Sequence, residues 1–206
     1  MTITVLLIAI TVTISFYIFS HPGLQARLMM NPYNISHNHQ YYRFLTSGFI
    51  HINHVHLLMN MISFYFLGTA VEQVFIYLFG SSGTVYYVAL YLMAIAASDI
   101  PTYFKQKNNP GYNSLGASGG VAAVVFAFIL FQPMQYICLF FALCMPGFIL
   151  GTLYIAYSWY QGKKSRDNIN HDAHLFGALF GLLFCVVIYP ASVGNFLRQV
   201  MDWMAR

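Results

Sequence analysis

The chain has 206 residues, of which 59% are hydrophobic and only 7% charged, and its formal net charge is +4. Soluble domains carry about 25% charged residues, so this balance excludes an ordinary soluble globular protein and indicates an integral membrane protein. The Lys and Arg residues are scattered, with no dense basic run, which argues against a nucleic-acid partner and leaves the lipid bilayer as the surrounding medium.

Apolar segments fall at about 3–19, 55–79, 84–100, 118–131, 136–159 and 173–189, with Gly, Pro, Asn or charged residues between them. A segment surrounded by lipid must pair its own backbone groups, so each reads as a helix; no ten-residue alternation of the barrel kind is visible. The expected fold class is therefore all-α, a polytopic membrane protein with six transmembrane helices. It forms a single domain over residues 1–206 that ends in an amphipathic interfacial tail at 190–206. The first segment lacks a positive flank and has no small-residue cleavage site before His21 and Pro22, so it is expected to be a retained span. Cys138, Cys144 and Cys185 lie in apolar stretches without CxxC spacing and are expected to behave as small buried hydrophobes.

Six crossings mean that the second, fourth and sixth segments start from the same side of the membrane. That side collects the polar chemistry. "HINHVHLLMN" brings His51, His54, His56 and Asn60; Ser118 opens the fourth segment; "NHDAHLFGALFG" brings His171, Asp172 and His174. Polar side chains in hydrocarbon are costly and usually face a bundle interior or a wet cavity, so their convergence marks a candidate site. The fourth segment has fourteen residues, and a helix of that length reaches about 21 Å of a hydrocarbon layer about 30 Å thick. Its start therefore lies below the membrane surface, and the preceding "KQKNNPGYNSLGA" dips inward as irregular backbone lining a cavity.

In the sixth segment His174, Gly177 and Gly181 share one helical face, and small residues there admit a neighbouring helix closely. With the fourth segment as that neighbour, the imidazole of His174 approaches the hydroxyl of Ser118. A serine is a weak nucleophile until an adjacent base accepts its proton, and histidine suits that role near neutral pH. His56 and Asn60, at i and i+4, project from one face of the second segment as candidate oxyanion donors.

These residues resemble the rhomboid family of intramembrane serine proteases. "GASG" (116–119) matches its GxSG motif, "AHLFGALFG" (173–181) its AHxxGxxxG, and "HLLMN" (56–60) its HxxxN, in the family's order and spacing. The resemblance implies a six-helix bundle in which Ser118 is the nucleophile and His174 its base. His56 and Asn60, with the Ser118 amide, would form the oxyanion site. It also implies a dyad that needs no carboxylate, so that Asp172 points elsewhere, and no cofactor or metal. The substrates implied are single-span membrane proteins, cut near the membrane boundary at a small residue beside helix-breaking sequence. The fifth segment and the following "QGKKSRDNIN" would be the gate through which such a helix enters. Arg43 matches the family's Trp-Arg motif, with Tyr42 in place of the Trp. Two departures stand out. The family's Tyr four residues after the nucleophile, which stacks on the catalytic His, is Ala122 here, so support for the imidazole must come from elsewhere. The short Glu-to-Gly spacing at the end of the second segment is absent, since Glu72 is followed by Gly only at Gly80, and an altered loop is expected there.

Blander readings compete. A lone Ser at a glycine-rich helix start is commonly a cap, and His51 and His54 fit structural or interfacial histidines better than catalytic ones. A metalloenzyme or metal transporter using His51, His54, His56, His171 and His174 is a rival reading; it lacks an HExxH motif and leaves Ser118 without a role. A catalytically inactive relative that binds membrane proteins is a third. The basic residues Arg27, Arg43, Lys105, Lys107, Lys163, Lys164 and Arg166 lie on the candidate-site side, against Arg198 and Arg206 on the other. The positive-inside rule places the richer side in the cytoplasm. Bacterial members of the family turn that side outward, and because the motif match is more specific, a site facing the extracytoplasmic side of the inner membrane is expected.

Overall fold

The computed structural model describes residues 2–139, 142–164 and 169–205. In chain order these form α1 (Ile3–Phe19), α2 (Pro22–Leu28), α3 (Pro32–Asn38), α4 (Arg43–Thr46), α5 (His54–Ser63), α6 (Thr69–Phe79), α7 (Ser82–Ser98) and α8 (Ile100–Gln106). There follow α9 (Ser118–Phe131), β1 (Tyr136–Leu139), β2 (Leu143–Pro146), α10 (Gly147–Lys164), α11 (His171–Ile188) and α12 (Ala191–Met204). A π-helical turn at Phe64–Gly68 joins α5 to α6, so that His54–Phe79 is one continuous helix. Among the described residues this helix, Ser82–Gln106 and α11 are long and apolar enough to cross a membrane, and α1 and α9 are shorter apolar helices.

The chain is mostly helical, but the all-α expectation needs one correction. Tyr136–Leu139 and Leu143–Pro146, at the start of the expected fifth segment, form two antiparallel strands of a hairpin in which Tyr136 pairs with Pro146 and Cys138 with Cys144. A helix over 136–159 would place Pro146 in its interior, at a cost of about 3 kcal/mol. As the last residue of β2, the proline instead ends the strand where α10 begins. The hairpin also corrects the reading of two cysteines, since Cys138 and Cys144 form a disulfide across the strands. Cys185 is free and buried, as expected.

α9 is the central helix. All of it but Ser118, Val125 and Phe131 is buried, with α7 and α11 packed against it. A helix apolar on every side is stable only when enclosed, and its short length follows from that central place. The packing partners are small: a Cβ on Gly177 would overlap the Gly119 carbonyl, and one on Gly181 would overlap the Ala123 carbonyl. α11 therefore meets α9 backbone to backbone.

At the opposite end of the bundle, Glu72 on α6 is buried and caps α1 from across the fold. Its carboxylate accepts hydrogen bonds from the Ile3 and Thr4 amides (2.8 and 2.9 Å) and from the Thr4 hydroxyl (2.7 Å). The first N–H groups of a helix have no partner within it, and a carboxylate there also complements the helix dipole. Past Glu72, α6 runs on to Phe79 and ends at Gly80, whose φ of 60° suits the turn into α7.

Candidate active site

The loop before α9 descends into the bundle and is fastened to the segments around it. Ser114 and Met30 bridge reciprocally through their backbones, the Gly116 amide donates to the Ser47 carbonyl (2.9 Å), and the Ala117 amide donates to His51 Nε2 (3.3 Å). Gly116 is required twice over, since its φ of 129° disfavours any side chain and a Cβ would collide with the His56 ring. Ser118 then opens α9, and its backbone N–H is among the four that a helix leaves without an internal partner.

His174, on the first turn of α11, meets it. His174 Nε2 stands 2.8 Å from Ser118 Oγ, with both side chains half-buried. The contact follows from the glycine seam, which lets α11 approach until an imidazole one turn above Gly177 reaches the start of α9. Asp172 turns away to pair with Lys105 at 2.6 Å.

His56 is the third group at this point, its ring lying against Gly116, two residues before the serine. Asn53 caps α5 by accepting the His56 amide at 2.8 Å, which places the imidazole one turn into the helix. Asn60 is buried, and its side-chain amide donates back to the His56 carbonyl at 2.9 Å. The structure therefore gathers Ser118, His174 and His56 around one loop, while the Asn60 side chain bonds within its own helix.

His51 has a defined structural place. The Ala117 N–H donates to Nε2, so Nε2 is unprotonated and the ring proton is on Nδ1. From there it donates to Ser15 Oγ at 3.0 Å, and Ser15 in turn donates to the Phe49 carbonyl at 3.1 Å. Burial, and secondarily the neighbouring His56, push the His51 pKa down to about 3, so the imidazole stays neutral. His54 packs against the rings of Phe16 and Phe19. Of the histidines of the rival reading, His51 lies beside His56 and His171 beside His174. Among the described residues no three His, Cys, Asp or Glu gather as a metal-binding group.

Two further side chains have defined places, Tyr154 and the motif residue Arg43. Tyr154 on α10 stacks on His174 with ring centroids 6.3 Å apart and planes 22° from parallel. It packs in the apolar cluster of Ala122, Phe126 and Ala178, filling the space that a small residue at 122 leaves open. Arg43 is buried; its guanidinium donates to the Ala26 and Met29 carbonyls and to Gln40, tying α4 to α2 beside the site. Residues 165–168, within the loop expected to belong to the gate, lie outside the described residues.

Residues 38–191 match the rhomboid domain family, and the chain belongs to that family. It is also 30% identical over 167 residues to the mitochondrial RHOMBOID-like protein 12 of Arabidopsis thaliana, an alignment covering 74% of this chain and 49% of that protein. The chain spans about half the length of that curated relative.

Proposed function

We propose that this rhomboid is an intramembrane serine endopeptidase that cleaves transmembrane segments of membrane proteins. The observation that carries the reading is the 2.8 Å contact between His174 Nε2 and Ser118 Oγ where the loop enters α9. In that geometry Ser118 Oγ attacks the scissile carbonyl carbon as its proton passes to His174 Nε2, and the imidazolium returns the proton to the leaving amine. Water then hydrolyses the acyl ester by the same base, restoring the serine. The negative charge on the substrate oxygen is met by the Ser118 amide at the α9 N-terminus and by His56, with Asn60 joining once its amide turns from the His56 carbonyl. No cofactor is needed for this chemistry.

The chain crosses the bilayer six times, through α1, α5–α6, α7, α9, α10 and α11. Because a stable helix hides its carbonyls, a single-span substrate must unwind near the membrane boundary before attack. Labelling of the detergent-solubilised protein with a fluorophosphonate tests the reading: Ser118 is modified, and Ser118→Ala loses both labelling and cleavage of a single-span reporter at unchanged expression. A Ser118→Ala protein that still cleaves, or activity removed by EDTA and restored by zinc, sinks it. Absence of labelling and cleavage in the wild type leaves a non-catalytic binder.

The site faces the extracytoplasmic side of the inner membrane in this reading, which puts the Cys138–Cys144 disulfide on the opposite, cytoplasmic side, where disulfides are rare. With the native cysteines replaced, a cysteine at Lys163 then reacts with an impermeant maleimide outside intact cells and one at Gln135 is protected. The opposite pattern would reverse the orientation, in keeping with the basic residues on the site side and a disulfide on the other.

A further inference from the structure

Asp99, between α7 and α8, is a buried carboxylate for which acyl transfer has no use. One of its partners, besides Ser47, is Asn170, the residue that opens α11. Asn170 Oδ1 accepts the Ala173 amide at 3.1 Å as the helix cap, and also the Thr102 hydroxyl at 2.9 Å. These two donors fix which end of the side-chain amide is oxygen, so the nitrogen end must find an acceptor. It donates to Asp99 Oδ1 at 3.1 Å and more distantly to Ser114 Oγ at 3.5 Å. The backbone carbonyl of the same Asn170 accepts the His174 amide at 3.3 Å. One residue thus both starts the helix and closes its first turn at His174, and Asp99 holds that residue from α7. Asp99, Ser114 and Asn170 also line, with Ser118, a small cavity behind the serine.

A second tie joins α8 to α11, the Lys105–Asp172 pair, but the lysine is 54% exposed and such pairs contribute little. In the other tie Asp99 itself is buried, so removing Asn170 leaves a buried acceptor short of a partner.

We propose that Asp99 is a positioning residue that, through Asn170, sets the height and rotation of the first turn of α11 and so the approach of His174 to Ser118. The proposal rests on reading Ser118 and His174 as a dyad. What it requires of residue 99 is an acceptor, not a charge.

The test uses the full-length protein in detergent and reads the fluorophosphonate labelling rate of Ser118, kcat and KM on a single-span reporter, and the thermal midpoint. Asp99→Asn keeps a carbonyl acceptor and labels within about threefold of wild type, while Asp99→Leu slows labelling and kcat by about tenfold to a hundredfold at unchanged KM, the scale of a misplaced catalytic group. Asn170→Ser retains a capping hydroxyl but does not reach Asp99, so it shows the same loss, and the double variant is no slower than either single one. A wild-type rate in Asp99→Leu, an Asp99→Asn as slow as Asp99→Leu, or losses that add in the double variant each overturn the tie. So does a loss that follows the thermal midpoint across all four variants, since that marks stability alone. A wild-type protein that does not label at all refutes the dyad itself, a different failure.

Discussion

α11 and α10 both border the candidate site, and they are held in different ways. α11 lies against α9 through Gly177 and Gly181, whose missing side chains bring backbone against backbone. α10 rests on α9 through side chains: Gly151 faces the tip of Ile129, Tyr154 packs on Phe126 with ring centroids 5.6 Å apart, and only Gly147, Leu150, Gly151 and Ser158 of the helix are buried. A backbone seam has one register and tolerates no added atom, whereas side chains yield by changing rotamer. Ser118 and His174 sit on the rigid seam; the helix expected to admit substrate sits on the yielding one. The ring that stacks on His174 belongs to the yielding side, so displacement of α10 is felt at the imidazole.

The largest effect is expected from breaking the rigid seam. Gly177→Leu forces its side chain against the Gly119 carbonyl, which cannot move without shifting the start of α9. Labelling and cleavage are lost while a folded protein is still recovered, as gel filtration and circular dichroism would show. Normal turnover in Gly177→Leu would mean that α11 has another way to reach Ser118. A bulky residue on the yielding side, such as Gly151→Val, meets only the Ile129 and Phe126 side chains and is expected to be milder.

Next in size is the proposed oxyanion support, also on the fixed side through the contact of His56 with Gly116. Loss of one donor in a soluble serine protease costs about 10²–10³ in rate. His56→Ala approaches that range. Asn60→Ala falls below it, because its amide bonds within α5 in this structure, and the double variant is worse than both. Wild-type cleavage and labelling in both single variants would place the oxyanion elsewhere.

A smaller effect is expected where the two seams meet. Tyr154→Ala removes the ring over His174 and opens space beside Ala122, slowing labelling by about tenfold, and Tyr154→Phe, which keeps the ring, stays near wild type. Adding Ala122→Tyr to Tyr154→Ala returns an aromatic ring to the same cluster and restores part of the rate. If it restores nothing and Tyr154→Ala is already normal, the stacking is incidental.

Much of this comparison was legible in the sequence, for identifiable reasons. The end of α1 and both bounds of α9 match the apolar runs because Pro22, Gly116, Gln132 and Pro133 interrupt them. The Ser118–His174 meeting was readable because His174, Gly177 and Gly181 repeat at helical spacing and glycines announce a close neighbour. The hairpin was hidden because Tyr, Ile, Cys and Leu read as lipid-facing helix as readily as strand, and only Pro146 spoke against the helix. The stacking of Tyr154 was hidden because it depends on how α10 is rotated against α9, which periodicity does not fix. The Asp99–Asn170 tie spans 71 positions and follows only once α7 and α11 are neighbours.

The smallest effect is invisible at neutral pH and belongs to the fixed side. His51 holds the Ala117 amide, one residue before Ser118, and can do so only while Nε2 is unprotonated. Its pKa is lowered from 6.5 to about 3 by burial, so the unfolded chain binds a proton that the folded chain refuses. Stability from this group is therefore fully present above about pH 6.5 and is lost as the pH falls from there toward 3. At pH 5 the deficit is about 2 kcal/mol, from 1.5 units at 1.36 kcal/mol each. His51→Gln can offer a carbonyl to Ala117 and an amide to Ser15 without titrating. Its thermal midpoint is at or below that of wild type at pH 7.5, and it falls less between pH 7.5 and 5. Equal slopes in the two proteins would mean that His51 takes up its proton in the fold, and that the loop before Ser118 is looser than the hydrogen bonds around it indicate.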